Sequence, residues 1–307
     1  MSDTNTSGAA NHVNLLDLPN RPTLDFIHSI NRRRNHRVAF NDWGSKSADD
    51  VTFCVHGLTR NKHDFDVLAS RLTSFENDSK RVVCPDLVGR GDSNWLRDPS
   101  DYNLLQYNLD FTVLASRTGA ERYNYIGTSL GGLMGISLAG LKDSPIKRLV
   151  INDIAPEVPY SAIIRLTKYI GKDPRFDSLE SVEEYLRETL APFGPMTDGD
   201  WRHMAYHSSR QSEQGYRLSF DPQIVQNFRR YWMFMHVTLW QFWDRIQCPV
   251  LILRGVESDF LSSTLADKML RRLPNAELIE FEGVGHVPSL NSEEQIAPVM
   301  EWLARPC

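Results

Sequence analysis

The chain has 307 residues, 24% of them charged, and a formal net charge of −5 from 34 Lys and Arg against 39 Asp and Glu. Charges of both signs are interspersed along most of it, which excludes the basic face of a nucleic-acid binder. No apolar run approaches the roughly 20 residues of a membrane span, and the polar stretch from Met1 to Asn20 has no apolar segment of a signal peptide, so a soluble, cytoplasmic protein is expected.

The four cysteines are Cys54, Cys84, Cys248 and Cys307. The first three sit in or beside apolar runs, where a free thiol packs as a small apolar group. With no Cys-x-x-Cys or Cys/His metal spacing, neither a disulfide framework nor a zinc site is expected, and no metal ligand is assigned.

Residues 1–24 lack sustained periodicity and read as a mobile or surface-laid arm. The basic cluster Asn31 to Arg37 precedes a strand pattern at Arg37 to Asn41 and reads as a solvated hairpin or loop. Val51 to Val55 is an apolar strand ending at His56-Gly57, and Phe65, Leu68 and Leu72 then recur at helical spacing. Arg81 to Cys84 is the next strand, closed by Pro85-Asp86. Asp86 to Ser93 holds two glycines and an arginine but no phosphate-loop spacing, so it reads as a tight structural turn. A helix from Leu104 to Ser116 ends at Gly119, and Tyr123 to Ile126 follows as a strand. Lys147 to Ile151, Pro249 to Leu253 and Glu277 to Phe281 supply further strands, and Ser292 to Gln295 has a capping-box pattern for a last helix that Pro298 blurs. Strands alternating with helices predict an α/β class with a mostly parallel sheet, helices on both faces. The core is expected at 25–156 and 245–307, and the interval 157–244, with helix-like segments and no convincing strand, as an inserted helical cap.

Gly127-Thr-Ser129-Leu-Gly131 is a G-x-S-x-G pattern with a strand entering and a small-residue helix leaving, the context of a nucleophile elbow. Ser129 is the expected nucleophile. A serine hydroxyl needs an adjacent base that a third group orients, in the chain order serine, acid, histidine. His286, in Gly-Val-Gly-His-Val-Pro just past the last strand, is the expected base. For the acid, Asp259 is preferred because it lies a loop's length past the Pro249 to Leu253 strand and ahead of a helix beginning near Ser262. Glu257 and Asp153 compete; Asp153 also fits a turn residue. An oxyanion must meet preorganised donors, and the backbone N–H groups of Leu130 and Leu58 are expected to supply them, each worth about 3 kcal/mol in the barrier.

Together, His56-Gly57, Pro85 to Ser93, Gly127 to Gly132, Ser258-Asp259 and Gly285-His286 resemble the α/β-hydrolase superfamily, most closely its capped bacterial esterases, lactonases and meta-cleavage-product hydrolases. The resemblance implies an α/β-hydrolase fold with an eight-stranded, mostly parallel core, a helical lid and no cofactor. Haloalkane dehalogenases and epoxide hydrolases of the superfamily place an aspartate where Ser129 stands, which disfavours those activities. Leu58-Thr59 replaces two glycines of the lipase-type HGGG loop, which argues against bulky tertiary-alcohol esters.

The cap is rich in aromatic and methionine side chains, among them Trp201, Tyr206, Tyr231, Trp232, Trp240, Phe242 and Trp243. Those not consumed by helix packing are expected to roof an apolar pocket over Ser129, with Trp232 the chosen candidate. Arg60, and beyond it Arg210 and Arg217, could receive a substrate carboxylate. The leading expectation is a carboxylesterase-like hydrolase, monomeric or homodimeric, acting on small to medium, largely apolar esters, hydroxyacid oligoesters or lactones included. A C–C bond hydrolase of meta-cleavage products uses the same groups, and a non-catalytic ligand receptor is the alternative of another class.

Overall fold

The computed structural model describes residues 18, 20–74, 79–167, 172–225 and 238–306. Strands β1 (Thr23–Ile30), β2 (Asn35–Gly44), β3 (Asp50–Val55), β4 (Lys80–Pro85), β5 (Tyr123–Thr128) and β6 (Ile146–Asn152) precede the insertion. The insertion contributes β7 (Arg175–Phe176), β8 (Ser209–Ser212) and β9 (Gly215–Leu218), and β10 (Val250–Gly255) and β11 (Ala276–Phe281) follow it. The main sheet has eight strands in the order β1-β2-β4-β3-β5-β6-β10-β11. The β1–β2 and β2–β4 pairs are antiparallel, and the others are parallel.

The central strands β3 to β6 and β10 are buried nearly throughout, which is why they appear in sequence as unbroken apolar runs. The order places β5 beside β6, with β10 and β11 further out. Helix α1 (Asp66–Leu72), α2 (Leu104–Thr118) and α3 (Leu130–Ala139) come before the insertion. Helix α2 starts where the Asn103 side chain accepts from the Gln106 amide and ends at Gly119 with φ 76°, a left-handed position that suits glycine. Phe53, Phe111, Tyr123 and Tyr125 meet edge to face with centroids 4.9 to 5.9 Å apart, joining α2 to the sheet.

Residues 157–244 hold α4 (Tyr160–Thr167), α5 (Leu179–Thr189), α6 (Asp198–Ser208) and a short α7 (Trp240–Trp243). They also hold the small antiparallel sheet β7-β9-β8, so the expectation of a purely helical cap is corrected. These strands have two to four residues, too short to set up the alternation by which a strand is recognised. Backbone hydrogen bonds tie this region to the core: Gly91 donates to Ser219, Asp221 to Gly89 and Gly285 to Pro192, at 2.7 to 2.8 Å. After it come α8 (Ser263–Arg272) and α9 (Glu293–Ala304), and α9 includes Pro298. The capping box expected at Ser292 does not form, because the Gln295 side chain instead accepts from the Leu290 amide at 2.7 Å. Among the described residues no helix is long and apolar enough to cross a membrane.

Candidate active site

Ser129 ends β5 and begins α3 with φ 52° and ψ −109°, a strained conformation for a residue with a Cβ. The turn is held because its flanks have no side chains. A Cβ on Gly127 would lie 2.3 Å from the Gly131 carbonyl oxygen, and one on Gly131 would lie 2.1 Å from that of Val55. The Ser129 amide donates to Asn152 O at 3.0 Å, and the Tyr125 hydroxyl donates to Gly131 O at 2.9 Å, fixing the turn from either side.

His286, in the loop after β11, places Nε2 3.1 Å from Ser129 Oγ. Its Nδ1 is 2.8 Å from Asp153 Oδ2, and the Phe260 ring stacks on the imidazole with centroids 3.8 Å apart. Asp153 is fully buried, and its carboxylate also accepts from Ser258 Oγ at 2.6 Å and from the Gly255 amide at 3.1 Å. Such donors satisfy the oxygens of a carboxyl group buried away from water.

The preference for Asp259 is therefore corrected. Asp259 sits outside this cluster in an exposed, bidentate pair with Arg165 of α4, at 2.6 and 2.9 Å. Glu257, the other competitor, is exposed. The physical reason lies in where each side chain finds partners: Asp153 meets His286, Ser258 and the Gly255 amide in the buried interior, and Asp259 meets Arg165 at the surface. Asn152 at the end of β6 is in register with Thr128 at the end of β5, so the next residue of each strand, Asp153 and Ser129, emerge side by side.

Leu130 opens α3, so its N–H belongs to the first-turn donors that have no acceptor within the helix. Leu58 lies in the loop after β3, and both it and Leu130 are partly buried. Two buried side chains hold that loop. Arg90 donates from Nε to Leu58 O at 2.8 Å and from Nη1 to Val88 O and the Tyr107 hydroxyl. His56 donates from Nδ1 to Gly57 O at 2.7 Å, while its Nε2 accepts from the Leu87 amide at 3.0 Å. Asp86 to Ser93 is the structural turn expected: Asp86 accepts from the Lys62 ammonium at 2.7 Å and from the amides of Lys62 and Asp92.

Burial, reinforced by Arg90, Arg60 and Lys62 against the pull of the Gly57 bond, lowers the His56 pKa from 6.5 to about 3. The unfolded chain thus binds more protons than the folded one between those two values. The resulting stability is complete above pH 6.5 and is lost as pH falls toward about 3. The urea midpoint should drop through this window, and a His56→Asn variant, whatever its absolute stability, should drop less steeply; equal slopes would exclude His56 as a source.

The pocket over Ser129 is lined from the core by Leu58, Thr59, Thr128, His286 and Val287, and from the cap by Arg165, Leu166, Thr189, Leu190 and Phe193. Its described cap wall thus sets Leu166, Leu190 and Phe193 beside Arg165 and Thr189, and Trp201, Tyr206, Trp240, Phe242 and Trp243 are not among these lining residues. Trp243 is buried against α8, its Nε1 donating to Met269 O at 3.2 Å, and Tyr206 is exposed. Trp232 and Tyr231 lie outside the described residues. Arg60 borders the pocket, but its guanidinium is bound by Asp64 and Ser208 and so is already committed. Arg217 pairs with Asp173, and Arg210 lies over the Trp95 ring at 4.8 Å.

A second group of side chains, His63, Asp66, His203 and His207, gathers at the seam between core and cap with ligand atoms within 4.8 Å of one another. The sequence offered a signal for it that a search for Cys/His spacing passes over: two histidines four apart on one face of a helix, and a His-x-x-Asp pair.

Residues 53–299 match the model of the alpha/beta hydrolase family. A 3-hydroxybutyrate-oligomer hydrolase from Cupriavidus necator is 37% identical over 284 residues, 90% of this chain and 96% of that one. An alpha/beta hydrolase structure from Novosphingobium aromaticivorans is 32% identical with a TM-score of 0.83, covering 93% of this chain and 99% of that one. A solved chain from Rickettsia typhi has a TM-score of 0.85 at 28% identity, covering 93% and 100%. With the family model matched across most of its length, and relatives above 30% identity aligned almost end to end, the chain is a hydrolase of the alpha/beta hydrolase family.

Proposed function

We propose that the protein is a serine carboxylic ester hydrolase in which Ser129 is the nucleophile, His286 the general base and Asp153 the acid that orients the histidine, and that its substrates are short oligoesters of hydroxy acids. The contact series Ser129 Oγ, His286 Nε2, His286 Nδ1, Asp153 Oδ2, at 3.1 and 2.8 Å, carries the reading. Nδ1–H donates to the buried carboxylate, which leaves the Nε2 lone pair facing the hydroxyl. Attack of Oγ on the ester carbonyl passes the hydroxyl proton to Nε2. The oxyanion is held by the amides of Leu58 and Leu130, and collapse expels the alcohol, which takes the proton from His286. Water activated by the same imidazole then hydrolyses the acyl-enzyme, releasing the acid and regenerating Ser129.

The oligoester class is supported by the Cupriavidus necator relative and by the pocket, whose leucines and Phe193 suit methyl-branched repeats and whose threonines suit ester oxygens. The free thiols of Cys54, Cys84 and Cys248 suit a reducing cytoplasm as the place of action. Purified protein given dimers and trimers of 3-hydroxybutyrate is expected to release monomer and to cleave p-nitrophenyl butyrate. Bleaching of a yellow meta-cleavage dienolate without cleavage of any ester would replace this reading with C–C hydrolysis.

A further inference from the structure

We propose that His63, Asp66, His203 and His207 form a binding site for a zinc-class divalent ion that staples the cap to the core. His63 lies in the 3-10 turn Lys62–Phe65 and Asp66 opens α1, both in the core; His203 and His207 lie four apart on α6 of the cap. Their ligand atoms all lie within 4.8 Å of one another, so modest side-chain rotations close them around one ion. Zinc–nitrogen bonds of about 2.0–2.1 Å then require donors some 3.4 Å apart.

The centre of the cluster is short of hydrogen-bond partners. His63 Nδ1 is 2.8 Å from Asp66 Oδ2, which occupies one carboxylate oxygen. Asp66 Oδ1 is buried with no hydrogen-bond partner among the described residues. His203 Nε2 is buried too, 3.2 Å from Asp66 Oδ2 without the alignment of a hydrogen bond. The rings of His63 and His207 stack with centroids 3.6 Å apart, and those of His203 and His207 are 4.4 Å apart. His63 and His203 converge on the Asp66 carboxylate and His207 stacks beside them, so imidazole nitrogens and an unpartnered carboxylate oxygen share one small volume that a cation would complete.

Three nitrogens and one oxygen favour zinc or a neighbouring first-row ion over calcium or magnesium, which prefer all-oxygen shells. Four protein ligands would leave no open position, which makes the site structural, not catalytic. All four residues also line a cleft bordered by Leu18, Trp43 and Arg202, which gives an ion a path from solvent. The ion would fix α6 against the core next to Ser208, the partner of the pocket-lining Arg60.

The test is titration of chelator-treated full-length protein with Co²⁺, followed by the d–d absorption of the bound ion and displacement by Zn²⁺. One equivalent is expected, with an intense tetrahedral spectrum and a Tm raised by Zn²⁺. Loss of a direct ligand in His203→Gln or His207→Gln should weaken binding by at least about 100-fold, while His286→Ala leaves it unchanged. Anomalous scattering from Zn²⁺-soaked wild-type crystals, which needs no variant to fold, should give one peak among the four side chains. No spectrum in the wild type, affinity that survives both glutamine variants or vanishes in His286→Ala, or an anomalous peak elsewhere only, would overturn the proposal.

Discussion

Asp153→Asn is expected to lower kcat on a p-nitrophenyl ester by about 10⁴-fold with a small change in KM, because the amide can present its NH₂ to His286 and stabilise the wrong tautomer. Asp259→Asn should keep kcat within about threefold, since it removes only an exposed ion pair with Arg165, a class of contact worth about 0–1 kcal/mol. Steady-state kinetics on the two variants decides between the acids. The contrast is sharp because both are aspartates near the same end of the sheet, yet one is fully buried between His286, Ser258 and the Gly255 amide and the other faces solvent. A large loss in Asp259→Asn with near-normal Asp153→Asn would reverse the assignment.

Ser129→Ala and His286→Ala should each remove about 10⁶-fold in kcat, and the double variant should be no worse than either alone. The two groups act as one unit across a 3.1 Å contact: without the base the hydroxyl is a poor nucleophile, and without the hydroxyl the base has no proton to take. Residual turnover then comes from binding and the oxyanion donors. A double variant whose loss is the product of the single losses would mean that the two side chains act independently. Melting curves should stay close to wild type for Ser129→Ala, because relief of strain at φ 52° is not expected from alanine, which also has a Cβ.

Much of the fold could be read because burial leaves a mark on sequence. Strands β3 to β6 and β10 lie inside the sheet and show as apolar runs, and the elbow shows through Gly127 and Gly131, where two backbones approach too closely for any side chain. Strand β1 escaped notice: Thr23–Ile30 is an edge strand with a mixed exposure pattern, and its partner β2 supplies its register. Short β7, β8 and β9 escaped for want of length. The aspartate beside His286 was missed for a different reason. Asp153 and Asp259 both follow strands and precede turns, and only their partners in the fold separate them, His286, Ser258 and the Gly255 amide for one and Arg165 for the other, which no local pattern encodes. The sequence singles out Arg60 to receive a substrate carboxylate, but its partners Asp64 and Ser208 come from a neighbouring turn and from the cap, and only the folded arrangement brings the last of these near.

The most direct measurement is covalent labelling with a p-nitrophenyl alkylphosphonate, which phosphonylates an activated serine and expels p-nitrophenol. One adduct per chain is expected, mapped to the peptide containing Ser129, absent in Ser129→Ala, strongly slowed in Asp153→Asn and formed at nearly the wild-type rate in Asp259→Asn. An adduct on any other residue, or labelling slowed by Asp259→Asn and not by Asp153→Asn, would contradict the proposed Ser129, His286 and Asp153 chemistry.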